Sequence, residues 1–85
     1  MTQSREYART YKQRLKGLAG IEIDNCPEEM VFENCHSIHT FGMKFDIEVE
    51  FLDKKGRVIG SRKVKKRRVV IAPLGTHAIV ERPLR

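Results

Sequence analysis

Nine consecutive residues in the middle of the chain, Cys35-His36-Ser37-Ile38-His39-Thr40-Phe41-Gly42-Met43, gather a thiol, two imidazoles and two hydroxyls. Cysteine and histidine are zinc ligands, so Cys35, His36 and His39 form one candidate structural metal site. Their spacing works against it. In a strand, Cys35 and His36 point to opposite sides, and in a helical turn each shares a face only with His39. No second ligand pair follows, so Cys26 or His77 would have to complete the site from afar. A nucleophilic thiol is a second chemistry, with Cys35 attacking, His39 as its base, and Asp46 or Glu48 orienting that base. A third is a ligand-binding loop over residues 35–43, in which His36, Ser37, His39 and Thr40 offer donors and acceptors beside Phe41 and Met43. In the structural alternative, Ile38, Phe41 and Met43 fill the core while the polar side chains bond the loop backbone.

Polyanion binding is the fourth chemistry. Residues 54–68 hold nine of the 17 Lys and Arg and no acid, and Lys63, Lys65, Lys66, Arg67 and Arg68 are their densest part. Such a run can neutralise phosphates, with a steep salt dependence. It contains no aromatic residue on which bases would stack, and no zinc-finger, helix-turn-helix or RNA-binding signature accompanies it. Residues 22–53 hold nine of the 11 acids against one base, Lys44, so within the net charge of +6 a −8 segment runs into a +9 segment, and the excess comes largely from the two termini. A hairpin between them neutralises much of this charge. A two-residue loop sets Asp46 opposite Lys63, a bulge at Gly56 sets Glu48 opposite Arg62, and the sequence leaves both open.

These groups must be positioned by short elements. Tyr7, Tyr11, Leu15 and Leu18 recur at helical spacing, which predicts an amphipathic helix over residues 5–18, capped by Ser4 and ended by Gly20. From Ile21 the period becomes two. Phe45, Ile47, Val49 and Phe51 alternate with Asp46, Glu48 and Glu50, the clearest strand in the chain. Asp53-Lys54-Lys55-Gly56 supplies turn chemistry, and Val58 to Val64, Val69 to Ala72 and Ala78 to Val80 read as further strands. One helix and four to six strands predict an α+β fold, a small antiparallel β-barrel-like sheet with a short N-terminal helix.

Eighty-five residues make one domain, 1–85, with a thin core. An apolar share of 40% and a charged share of 33% exclude a disordered chain. The start carries Arg5, Glu6 and Arg9 and no apolar stretch, and the longest aliphatic run is four residues, so neither an export signal nor a membrane span is expected. The cytoplasm is then the expected compartment, with Cys26 and Cys35 as thiols. No cofactor motif is recognised, and neither a cofactor nor a membrane partner is expected.

The stretch Cys35 to Val58, CHSIHTFGMKFDIEVEFLDKKGRV, resembles the small bacterial and archaeal family known as domain of unknown function 192. Members of that family read CHSIHTFGM, a basic residue, Phe-Pro-Ile-Asp, then a β-rich run ending Phe-Leu-Asp. Tyr11 to Leu18 is similar to the family's Arg-x-x-Gly-Leu element, and Ala78 to Pro83 to its late Val-Leu-Glu-x-Pro strand. The resemblance implies a compact β-barrel-like domain and no assigned activity, so a binding domain is expected rather than an enzyme. It also implies a shared site at Cys35, His36, His39, Met43 and Glu48, to which the loop reading adds Thr40 as a ligand-binding residue. Two departures stand out: Asp46 and Glu48 replace the family's Pro-x-Asp, and the chain stops at Arg85, before the Gly and strand that usually follow. An edge exposed in this way predicts pairing as a homodimer.

Overall fold

Alternation of apolar and polar residues shapes most of the chain from Glu29 to Pro83. In a computed structural model, which describes residues 5–85, seven strands form: β1 (Arg5–Tyr7), β2 (Glu29–Glu33), β3 (Ser37–His39), β4 (Ile47–Leu52), β5 (Val58–Val64), β6 (Val69–Ile71) and β7 (Ala78–Pro83). Five build one sheet in the order β1-β2-β7-β4-β5, while β3 and β6 pair separately as a two-stranded ribbon. Only β1 and β2 run parallel; every other pairing is antiparallel. The strand made last, β7, therefore lies between β2 and β4.

Period two puts Ile47, Val49 and Phe51 of β4, Ile79 of β7, and Met30 and Phe32 of β2 on the inner face of this sheet. Leu18, Ile38, Val70, Met43 and Phe45 close over them to complete the core. The outer face carries a line of charges. Glu29, whose side chain is nearly buried, lies between Arg5 at 2.7 Å and Arg82 at 3.5 Å, and Arg82 also reaches Glu50 at 2.8 Å.

The α+β expectation is overturned. The protein is all-β, with an open sheet in place of a closed barrel. Residues Arg5–Tyr7, the expected first turn of the helix, form β1 and lie beside β2 in register, Arg5 opposite Glu29. The helical remnant, α1 (Tyr11–Lys16), has six residues. Thr10 caps it: its Oγ1 accepts from the Gln13 N–H at 3.1 Å, and the Gln13 side chain accepts in return from the Thr10 N–H. The cap expected at Ser4 lies outside the described residues. Gly17, at φ 54°, ends the helix. A single 3₁₀ turn follows at Ile23–Asn25.

The β4–β5 hairpin takes neither anticipated register. Its turn is the expected one: Gly56 has φ 81°, and the Asp53 carboxylate accepts from the N–H groups of Arg57 and Lys55, both at 2.9 Å. The bulge, however, lies beyond the turn. Phe51 faces Gly60 and Leu52 faces Val58, so Ile59 is the extra residue, and Glu48 comes to lie opposite Lys63. The N–H donors, Arg57's first, and the Arg57 guanidinium hold the Asp53 carboxyl below the usual carboxylate range.

Candidate functional site

Glu81 is the acid out of place. It follows Ile79 on β7 in the inward phase, opposite Met30 on one side and Val49 on the other, and its side chain is buried in the core layer. Burial pushes its pKa up from 4.5 to about 8, so at neutral pH it is mostly a neutral carboxyl that can both donate and accept. Its Oε1 has no hydrogen-bond partner. Among the described residues one other buried side-chain atom shares that condition, His39 Nδ1.

Both residues line the same small pocket, of about 80 Å³, together with Phe32, Cys35, Ser37, Ile38, Gly17, Arg14 and Lys16. Each element contributes for a local reason. Gly17 ends α1 so closely above β2 and β7 that a Cβ there would stand 3.3 Å from Phe32 Cζ and 3.5 Å from Glu81 Oε1. The exposed Arg14 and Lys16, in the last turn before it, give the mouth positive charge. On the facing side, β3 pairs with β6, His39 opposite Val69, and the His39 ring packs against Phe41 with centroids 5.8 Å apart. The half-buried Cys35 thiol donates to the Ser37 carbonyl at 3.1 Å. A buried polar group without a partner costs on the order of 1–3 kcal/mol, so two at one hollow mark a place ready to receive hydrogen bonds.

The residues singled out in the sequence divide. Cys35 and His39 meet at the pocket, and His36 is exposed beside it without lining it. Thr40 is buried and fully engaged in holding a loop: its Oγ1 donates to the Lys65 carbonyl at 2.7 Å and accepts from the Arg68 N–H at 2.8 Å. Met43 belongs to the core. Glu48 lies on the outer face of the sheet, between Lys63 and Arg82 in register, on the opposite side from the pocket. Among the described residues no three His, Cys, Asp or Glu side chains are placed to hold a metal ion, so the zinc reading gains no geometry. Both cysteines are free thiols, Cys26 buried and pushed up in pKa by that burial. Lys65, Lys66, Arg67 and Arg68 line a broad groove with Gly42, Met43 and Asp46, and Lys63 is exposed on β5.

Glu81, Gly17, Arg14 and Lys16 were not among the site residues read from the sequence. Glu81 had a signal there: it is an acid continuing the inward phase of an aliphatic strand. A larger hollow of about 420 Å³ on the outer face, bordered by Arg5, Glu50 and Asp53, is a weaker candidate because these three already bond one another's neighbours: Arg5 with Glu29, Glu50 with Arg82, Asp53 with Arg57.

These features define a small all-β domain with a small polar hollow on the inner side of its sheet. No protein-family model matches the chain, and no curated protein matches it in sequence. Among solved structures, a protein of unknown function from Novosphingobium aromaticivorans DSM 12444 shares the fold, with a TM-score of 0.74 at 18% identity. The likeness covers 93% of this chain, which spans 61% of the length of that one. No helix among the described residues is long and apolar enough to cross a membrane.

Proposed function

We propose that the chain is a cytoplasmic binding domain of the family that Cys35 to Val58 resembles, and that it takes a small organic acid into the Glu81–His39 pocket. The observation that carries this reading is that Glu81 and His39, the two residues with an unpartnered buried side-chain atom among the described residues, both line one hollow. A neutral Glu81 carboxyl donates to a carbonyl or hydroxyl oxygen at the inner end of the ligand, and His39 supplies the second hydrogen bond. Arg14 and Lys16 attract a carboxylate at the outer end, and Phe32 and Ile38 form the apolar wall. Small 2-hydroxy- and 2-oxocarboxylates have this pairing of ends. Lactate and pyruvate titrated into the labelled protein should shift the amide signals of Gly17, Ser37, His39 and Glu81 with Kd of about 1 mM or tighter. Arg14→Gln with Lys16→Gln should weaken that binding several-fold. Signals at these four positions that stay fixed at saturating probe would sink the proposal.

The expected homodimer has less to recommend it at one of the two sheet edges. Strand β5 presents Arg62 and Lys63 side by side and is bulged at Ile59, and both features oppose pairing with a second copy. Edge pairing would have to use β1.

A further inference from the structure

The sequence reads Val69 to Ala72 as a strand. In the structure Val70 is buried in the core, while Val69 and Ile71 are 62% and 73% exposed on the outer side of the β3–β6 ribbon. Phe41, half exposed, stands beside them through the His39 ring, which packs on Phe41 while His39 pairs with Val69. At the same end of the ribbon lies the loop Lys65-Lys66-Arg67-Arg68, all four side chains exposed.

That loop is held in one shape. Besides the two bonds of the Thr40 hydroxyl, the Thr40 N–H donates to the Arg68 carbonyl at 2.8 Å and the Arg67 N–H donates to the Thr40 carbonyl at 3.3 Å. Asp46 accepts from the Lys66 N–H at 3.2 Å, and the Arg68 guanidinium folds back on the carbonyls of Lys66 and Arg67. Among the described residues, none of the four side chains pairs with a carboxylate. A rigid basic turn, with the single Asp46 carboxylate on its backbone and no ion pair to its side chains, thus adjoins three exposed apolar side chains.

We propose that this end of the molecule docks on the surface of a bilayer containing anionic phospholipid. Lys65, Lys66 and Arg67 meet the headgroups, and Phe41, Val69 and Ile71 enter the boundary beneath them. No segment needs to span the bilayer. Charge and apolar area together account for all six side chains, as they do in peripheral anchors. A nucleic acid would use the bases and leave Val69 and Ile71 without a role, and the loop offers no stacking surface. The docking acts through residues other than the Glu81–His39 pair, so it stands or falls separately from the small-acid reading.

The test is co-sedimentation with vesicles of phosphatidylcholine alone and of phosphatidylcholine with roughly one third phosphatidylglycerol. Wild-type protein should pellet with the anionic vesicles and stay in solution with the neutral ones. Lys65→Gln, Lys66→Gln and Arg67→Gln combined should lower the partition coefficient by about 100-fold, at about fivefold per charge. Val69→Ser with Ile71→Ser, which leaves the charge intact, should lower it by about tenfold or more. All five positions are exposed, and matching melting midpoints would show that the variants fold. Wild-type protein that ignores anionic vesicles overturns the proposal without any variant. So does binding that the glutamine variant loses and the serine variant keeps in full, the pattern of a simple polyanion site, which retention on single-stranded RNA would then identify.

Discussion

Replacing Glu81 by Gln tests the physics of the pocket directly, because one oxygen becomes an amide and the shape is nearly kept. The wild-type carboxyl titrates near 4.5 when the chain is unfolded and near 8 when it is buried. Between those values the folded protein holds a proton that the unfolded chain has lost, so folding takes up a proton and stability falls as pH rises. The full advantage is present below pH 4.5 and is gone above about 8. At 1.36 kcal/mol per unit, this rise corresponds to about 5 kcal/mol. A domain of this length has a net stability of about 4–13 kcal/mol, so the loss is a large share of the total. Three other perturbed groups act outside the window: Asp53 loses its contribution only in acid, Cys26 titrates only above the usual thiol range, and Arg5 is raised further by its hydrogen bonds to Tyr7 and Glu29. Urea denaturation at pH 5, 6, 7 and 8 should show the wild-type midpoint dropping by about 1 M per pH unit, for a slope near 1 kcal/mol/M. Glu81→Gln should be nearly flat across the same range and more stable than wild type at pH 8. Midpoints of the two proteins that run parallel, or a wild-type midpoint that rises with pH, would refute the reasoning.

Three further substitutions probe the framework around the pocket. Thr40→Val keeps the shape but removes the hydroxyl between the Lys65 carbonyl and the Arg68 N–H, which should cost about 1–3 kcal/mol in chemical denaturation and speed hydrogen exchange at Arg68. Arg82→Gln removes one of two cations from the nearly buried Glu29; with Arg5 still in place, a loss of about 1–3 kcal/mol is expected in urea denaturation at pH 7. Gly17→Ala sets a methyl against Phe32 at a positive φ and should lower the melting midpoint by several degrees, equivalent to about 1–2 kcal/mol.

The alternation from Phe45 to Phe51 and the Asp53–Gly56 turn were legible because a half-buried antiparallel strand and a tight turn are both set by neighbouring residues. What failed was set by distant ones. Tyr7 falls in phase with Tyr11 by spacing alone, but Arg5–Tyr7 is drawn into the sheet by β2, and three residues are too few to show a strand's period. The true helix start did carry a sign, the Thr10-x-x-Gln13 capping box. The barrel did not close because β3 and β6 pair only with each other, leaving β1 and β5 as edges. Of the loop residues, Cys35 and His39 reach the pocket, while Thr40 is buried because the loop at 65–68 satisfies it and Glu48 faces away because strand phase decides its side. The strand at Val69 to Ala72 was legible, but its residues do not reveal that a two-stranded ribbon has only one covered face, which leaves Val69 and Ile71 exposed.

The place of β7 between β2 and β4 also governs how the protein can be made. Once Val64 has left the exit tunnel and before Ala78 has, the β4–β5 hairpin can close on its own, since its partners are adjacent in the chain. Strands β1 and β2 have only each other, and Met30, Phe32, Val49 and Phe51 have no sheet to share. The two halves join only when Ala78–Pro83 leaves the exit tunnel and pairs on both sides at once. Until then the nascent chain displays two apolar half-sheets with open edges, a form that invites chaperones or misassembly. Carried on a C-terminal linker long enough to fill the exit tunnel, a nascent chain ending before residue 78 should therefore be protease-sensitive, and one ending after residue 83 resistant.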